Sequence, residues 1–168
     1  MATRITIIGA GPGGYVAAVR AAQLGAEVTV IERENVGGTC LNWGCIPSKI
    51  MIKTAAVLEE FHRAEAFGIA VDGSPRVDMA RLMARKSEIL GTQAKGILAL
   101  LKHHKIRHIP GDAYIKEPGL VTVTRPGEAP VEVAWDRLII ASGTEPLNIP
   151  ALPFDGERIL SSNHALSL

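Results

Sequence analysis

The sequence contains few cysteine and aromatic residues, and its net charge is close to zero. Among 168 residues there are two cysteines, and Phe, Trp and Tyr together make up 4% of the chain. So few aromatic side chains argue against an all-β sandwich and favour an α/β protein with an aliphatic core. The formal net charge of +1 argues against a dedicated nucleic-acid binder, which would need a basic surface.

Long apolar segments are missing as well. No segment reaches the roughly 18 consecutive apolar residues of a membrane span, and the start "MATRITIIGAGPGG" has too short an apolar run for a signal peptide. We therefore expect a cytoplasmic protein with no membrane partner. In such a reducing compartment, a pair of cysteines is more often redox-active or metal-binding than structural.

The first 32 residues alternate between strand and helix patterns. The β-branched run at 4–8 ends in glycine and predicts a buried parallel strand. Small and apolar residues at helical spacing follow as far as Gly25, and "EVTVIE" at 27–32 predicts the next strand. Together these segments predict a βαβ unit.

Two helices follow the cysteine segment. The first is predicted over 50–67 and ends at Gly68; the second is predicted over 79–104, with Ser74 or Asp78 as its cap. We expect the second helix to bury one apolar stripe. Its members are Leu82, Ile89, Ile97, Leu98 and Leu101.

Short strands separated by turn residues are predicted after residue 105. They cover 106–115, 120–126, 131–135 and 137–143. We expect a small antiparallel meander attached to the parallel sheet, with the apolar segment 137–143 returning to that sheet. The tail after residue 150, including His164, is predicted to be a loop.

A glycine pattern closes the first predicted strand and opens the first predicted helix. Gly9, Gly11 and Gly14 have the G-x-G-x-x-G spacing, and Glu32 ends the next strand. In this context the pattern predicts a dinucleotide site, with its pyrophosphate at the helix N-terminus and Glu32 on the ribose. Glu32 would repel a 2′-phosphate, an effect that the neighbouring Arg33 weakens. The pattern itself does not choose between NAD and FAD.

The two cysteines, Cys40 and Cys45, are five positions apart. In a regular helix their Cα atoms would lie roughly 8.7 Å apart, too far for a disulfide. Gly44 and Pro47 are expected to break the helix, which would allow a reversible disulfide near a helix start, and Lys49 could then stabilise a thiolate. Two inert buried thiols and a zinc site are the alternatives, although no second cysteine pair exists to complete a zinc site.

The segments "GGTCLNWGCIPSK", "GAGPGG" and "ASGTEP" together resemble the flavoprotein disulfide reductases. The resemblance runs along all 168 residues and leans towards the dihydrolipoamide dehydrogenase branch, while glutathione and mercuric reductases share the same frame. It implies a Rossmann-like, three-layer FAD-binding domain with a parallel sheet and a small β-meander. It also implies FAD as the cofactor, with NAD as electron acceptor in the full-length family member and no metal.

The resemblance assigns roles to individual residues. It implies that Cys40 is the interchange thiol, that Cys45 is the flavin-side sulfur, and that Lys49 lies beside the flavin; these three are the implied catalytic residues, and Cys40 and Lys49 also contact the cofactor. The remaining residues that it places at FAD are Gly9, Gly11, Pro12, Gly14, Glu32, Arg33, Gly38, Thr39, Ala113, Ser142, Gly143 and Thr144.

The resemblance also implies partners and limits. The substrate would be a dithiol such as dihydrolipoamide, for example on a lipoyl domain, and the family forms homodimers. A second glycine fingerprint, and a histidine followed by proline, are not found in the sequence. We therefore expect residues 1–168 to be the N-terminal FAD-binding part, without the nicotinamide and dimerisation domains and without turnover of its own. The alternatives are a non-catalytic FAD-binding part of another disulfide reductase, a non-catalytic binding module, and a dithiol exchanger that needs no flavin.

Overall fold

A computed structural model describes residues 2–167 of the chain, which divide into two compact units. Unit 1 comprises the residues up to Asn42 together with Thr92–Glu145. Unit 2 comprises Trp43–Gly91 and the residues from Pro146 onward. The long helix α4, Met79–His103, begins in unit 2 and ends in unit 1.

Unit 1 contains strands and two short connecting helices, and unit 2 is mainly helical. The elements of unit 1 are β1 Arg4–Ile8, α1 Pro12–Gln23, β2 Glu27–Glu32, α2 Gly38–Asn42, β3 Arg107–Pro110, β4 Asp112–Glu117, β5 Leu120–Thr124, β6 Val131–Ala134 and β7 Arg137–Ile140. The further elements of unit 2 are α3 Cys45–His62, a 3-10 helix Ala64–Phe67 and α5 Ser162–Ala165.

The strands of unit 1 form two sheets. A parallel sheet has the order β3-β2-β1-β7, in which Ile7 lies opposite Val30 on one side and Ile139 on the other. An antiparallel meander has the order β4-β5-β6. The predicted βαβ unit, the meander and the return of the last strand to the parallel sheet are all confirmed.

The parallel sheet is the middle of three layers. On one face, Ile7 and Val30 pack against small residues of α1 and against Leu101 of α4. On the other face, Ile31 packs against Val121 and other residues of the meander. Burial of both faces explains why the inner residues of β1 and β2 are mostly apolar and β-branched, and why Thr6 is buried as well. The predicted three-layer α/β class is confirmed.

Several details of the sequence prediction are wrong. The segment 106–115 is two strands in different sheets, because the chain turns at Gly111 with φ +144°. A Cβ at Gly111 would lie 2.7 Å from the carbonyl oxygen of Thr124, so a side chain has no room there. Leu98, predicted to be buried, is 41% exposed, whereas Leu101 on the same helix is fully buried.

The helix ends follow local chemistry. Asp78 begins α4 as predicted, since its Oδ1 accepts a hydrogen bond from the N–H of Arg81 at 3.0 Å. The tail was predicted to be a loop, yet 162–165 is a short helix that includes His164. Ser161 caps this helix, because its hydroxyl accepts from the His164 N–H and its own N–H donates to the imidazole Nδ1.

Candidate dinucleotide and dithiol site

The glycine turn between β1 and α1 depends on two glycines for steric reasons within the protein. Gly9 has φ +103°, and a Cβ there would lie 2.2 Å from the carbonyl oxygen of Ala141. A Cβ at Gly14 would lie 1.8 Å from the carbonyl oxygen of Gly9. Both distances are far below van der Waals contact, so these two positions require glycine for the fold itself.

Gly11 is a glycine for a different reason. Its φ of −68° suits any residue, and the nearest atom to a Cβ built there is the Cα of Gly38 at 3.7 Å, an ordinary contact. Pro12 and Gly13, the first two residues of α1, are exposed. The N–H of Gly13 has no partner within the helix, because the first turn of a helix leaves its donors unpaired. A position without steric need for glycine, beside the donor at Gly13, fits the pyrophosphate of a dinucleotide.

Glu32 connects the end of β2 to the glycine turn. Its Oε2 accepts a hydrogen bond from the N–H of Ala10 at 2.7 Å, and its Oε1 accepts one from the N–H of Glu34 at 2.9 Å. Each carboxylate oxygen can accept a further bond, so binding of a ribose by Glu32 stays a prediction. The sequence pattern gave no sign of its structural role, because the Ala10 contact spans 22 positions.

Arg33 is exposed and forms ion pairs with two carboxylates. Its Nε lies 3.3 Å from Glu34, and its guanidinium also donates to Glu145 in the segment after β7. Glu145 is a residue that sequence reasoning missed, because no local pattern pairs positions 112 apart. With two carboxylate partners, Arg33 is less available to a 2′-phosphate than its sequence position suggests.

Further predicted contacts lie at the same edge of the parallel sheet in unit 1. The N–H of Gly111 donates to the carbonyl of Glu32 at 2.8 Å, and Ala113 lies two residues further on, half-buried. The N–H of Ala141 donates to the carbonyl of Ile8 at 2.8 Å. The three predicted residues that come next are all exposed: Ser142, Gly143 and Thr144.

The glycine pair before α2 makes close contacts within the protein. Gly37 has φ +91°, and a Cβ there would lie 2.4 Å from Cδ2 of Leu41. A Cβ at Gly38 would lie 2.7 Å from the Cα of Gly11, and the N–H of Gly37 donates to the carbonyl of Ala10 at 2.8 Å. The family resemblance placed Gly38 at FAD. The structure gives another reason, the packing of this segment directly on the glycine turn.

The two cysteines lie on different helices. Cys40 is half-buried in α2 and is preceded by the exposed Thr39, and Cys45 is exposed as the first residue of α3. Gly44, with φ −146° and ψ −110°, separates the helices, which confirms the predicted break. Pro47 was expected to contribute to that break and does not. It lies buried in the first turn of α3, where its missing N–H is no loss.

Lys49 lies one turn after Cys45 in the regular part of α3, and it is exposed. Residues four apart in a helix share a face, so the ammonium group is on the same side of α3 as the thiol. Both residues belong to unit 2, whereas Cys40 belongs to unit 1. The predicted roles of all three residues in catalysis stay predictions.

A groove of about 330 Å³ in unit 2 includes none of the predicted site residues. It is lined by Thr54, Val57, Leu58, Phe61, Pro75, Arg76, Val77, Asp78, Arg81, Leu82 and Arg85. Within residues 2–167, no three His, Cys, Asp or Glu side chains are grouped to hold a metal ion. None of the helices in that range combines the length and the apolar character needed to cross a membrane.

The parallel sheet, its covering helices and the meander define a three-layer α/β fold, with a glycine turn after β1 and two cysteines on successive helices. A family model described as pyridine nucleotide-disulphide oxidoreductase matches residues 3–168, so the chain belongs to that family.

Individual relatives agree with this family. The chain is 41% identical to dihydrolipoyl dehydrogenase 2 of Haloarcula marismortui, over 99% of its own length and 35% of the relative's. It is 42% identical to dihydrolipoyl dehydrogenase of Bacillus subtilis, over 98% and 36% of the two lengths. A crystal structure of LpdA from Mycobacterium tuberculosis matches with a TM-score of 0.85 at 28% identity, over 99% and 37% of the two chains. The chain therefore spans about a third of the length of these relatives.

Proposed function

We propose that residues 1–168 form the FAD-binding part of a dihydrolipoyl dehydrogenase-like oxidoreductase, with Cys40 and Cys45 as its redox-active pair. One observation carries the proposal. A Cβ at Gly11 would make only an ordinary contact, 3.7 Å from the Cα of Gly38, while Gly9 and Gly14 are required by close contacts within the protein. A glycine that the fold does not need, next to the N–H of Gly13, is explained by a ligand phosphate that approaches the backbone. The dihydrolipoyl dehydrogenases among the relatives support the same proposal.

The residues of unit 1 would hold the cofactor by its nucleotide end. The N–H of Gly13 in the first turn of α1 would face the pyrophosphate, and Pro12, which has no N–H to donate, would only line that end of the helix. Glu32 would accept from the ribose with its remaining lone pairs. The backbone at Ala113 would face the adenine. The other proposed contacts are Arg33, Gly38, Thr39, Ser142, Gly143 and Thr144. Bound FAD would supply an acceptor for an electron pair.

The cysteines would exchange electrons with a dithiol substrate. One substrate thiolate attacks Sγ of Cys40 in the Cys40–Cys45 disulfide, and the Cys45 thiolate leaves. The second substrate thiolate then displaces Cys40, so that the substrate becomes a disulfide. The substrate loses two electrons and two protons. The cysteine pair gains the two electrons, Cys40 takes one proton as its thiol, and the other proton passes to solvent while Cys45 stays a thiolate. The ammonium group of Lys49, one turn from Cys45, would offset the negative charge of the departing thiolate.

For the whole protein to which the relatives correspond, the proposal extends further. NAD would be the final electron acceptor, and dihydrolipoamide, for example on a lipoyl domain, would be the dithiol. The whole protein would act as a homodimer in the cytoplasm, where the cysteine pair would meet a reducing environment. These are proposals from the family to which residues 3–168 belong.

Anaerobic reduction of the FAD-loaded chain with dithiothreitol tests the proposal. We expect a new long-wavelength absorbance, because a thiolate of Cys45 next to the flavin perturbs its spectrum. Cys40→Ser should keep this absorbance, since Cys45 remains, and Cys45→Ser should abolish it. A chain that binds FAD but shows no such absorbance, or the same absorbance in both variants, would contradict the assignment of Cys45.

A further inference from the structure

The helix that carries Cys40 is too short to be stable by itself. α2 consists of five residues, Gly38–Asn42, and an isolated helix in water needs about 12 residues or more. Its position must therefore come from contacts with other parts of the chain. Leu41 supplies an apolar contact, being 4% exposed and occupying the space that a side chain at Gly37 would need.

Asn42 supplies the polar contacts. Its Nδ2 donates to the carbonyl of Val36 at 3.2 Å and to the carbonyl of Gly38 at 3.0 Å, and the site is partly buried. The side-chain amide of Asn42, the last residue of α2, is thus bonded both to Gly38, the first residue of that helix, and to Val36 in the loop before the helix. Side-chain amides have two N–H donors in a fixed geometry, and both are used here.

The segment that Asn42 holds is also bonded to the glycine turn. The N–H of Gly37 donates to Ala10, and Gly38 packs on Gly11. Ala10 in turn donates to Glu32. The backbone around Cys40 and the candidate dinucleotide turn are therefore joined by hydrogen bonds and packing contacts within unit 1. The amide of Asn42 adds the hydrogen bonds nearest to Cys40 in this set.

We propose that Asn42 is a positioning residue that holds Cys40 where it can pair with Cys45. This inference rests on the proposed function, since it assumes that the two cysteines form a disulfide. Without the amide, two carbonyls lose a donor and α2 frays, so the thiol of Cys40 samples more positions. The effective concentration of the two thiols towards each other then falls.

The equilibrium between dithiol and disulfide measures that effective concentration directly. The chain is equilibrated with glutathione redox buffers, the thiols are alkylated, and the oxidised fraction is read from the mass. No FAD is needed for this readout. In Asn42→Ala we expect about a tenfold loss of effective concentration, which raises the reduction potential of the pair by about 30 mV.

Asn42→Ser provides an intermediate case. A serine hydroxyl can still donate to the carbonyl four residues earlier, so its potential should lie between those of the wild type and Asn42→Ala. Asn148→Ala is the matched control, because Asn148 accepts a backbone bond from Phe154 at 3.0 Å in unit 2. We expect this control to change the melting temperature slightly and to leave the potential unchanged.

The outcomes separate the two proposals. A wild-type chain that never forms the intramolecular disulfide contradicts the proposed function. A wild-type disulfide whose potential is unchanged in both Asn42 variants overturns the positioning role, even where the melting temperature falls, because Asn42 would then be merely structural. If Asn42→Ala does not fold, the comparison of Asn42→Ser with wild type decides.

Discussion

Substitution of Gly11 by alanine should separate binding of the cofactor from stability of the fold. The Cβ of Gly11→Ala would lie 3.7 Å from its nearest neighbour, with φ at −68°, so the fold accepts it. Its cost should be below about 1 kcal/mol, the range for a change at a helix N-cap. For a chain of this length that lowers the melting temperature by less than about 4 °C. The same methyl group would fill the space next to the donors of α1, and we expect at least tenfold weaker FAD binding.

Gly14→Ala is the matched comparison, because the same methyl group meets the carbonyl oxygen of Gly9 at 1.8 Å. The atoms must separate by roughly 1.5 Å or more to reach ordinary contact. Overpacking of this kind costs about 1–3 kcal/mol or more, so the melting temperature should fall by about 2–12 °C. Circular dichroism gives the melting temperatures and flavin fluorescence gives the affinities. Equal destabilisation by both substitutions, or unimpaired FAD binding by a folded Gly11→Ala variant, would refute the reasoning.

Three further predictions concern single residues. The carboxylate of Asp136 accepts hydrogen bonds from the side chain and the N–H of Arg4, which lowers the pKa of Asp136 to about 2. The stability that this interaction contributes is complete above about pH 4 and is lost towards pH 2. Asp136→Asn should therefore lower the melting temperature at pH 6 and have little effect on it at pH 2. Burial lowers the pKa of His108, against an opposing effect of Glu32. Because the unfolded chain then binds a proton more readily than the folded one, stability falls as the pH drops from 7.5 to 5.5. His108→Leu should reduce this loss of thermal stability, and an unchanged loss would contradict the prediction. Asp78→Ala removes the cap of α4 and should cost about 1 kcal/mol in urea unfolding; no change in the midpoint would contradict the cap.

Local patterns were sufficient to predict the elements and their sheet. The β-branched runs of β1 and β2, the glycine after α1 and the cap of α4 all act within a few residues, and each has its predicted place. The helix predicted over 50–67 is instead Cys45–His62, and the 3-10 helix Ala64–Phe67 follows it. The glycine spacing also predicted the turn, and Gly44 predicted the helix break between the cysteines. In these cases the physical cause lies in the backbone preferences of neighbouring residues.

The remaining features depend on contacts between distant residues. Leu98 follows the helical apolar pattern, yet it is exposed because Leu101 and its neighbours already fill that face. The ion pair of Arg33 with Glu145 joins positions 112 apart, and no local pattern indicates it. The turn at Gly111 required knowledge of the meander, since the reason for glycine there is the backbone of Thr124.

Equilibrium titration of the purified chain with FAD tests the central claim most directly. The account predicts saturable 1:1 binding, with a dissociation constant of about 10 μM or tighter, corresponding to about −7 kcal/mol, and with clear loss of affinity in Gly11→Ala. A folded wild-type chain that takes up no flavin from a large excess would contradict the account.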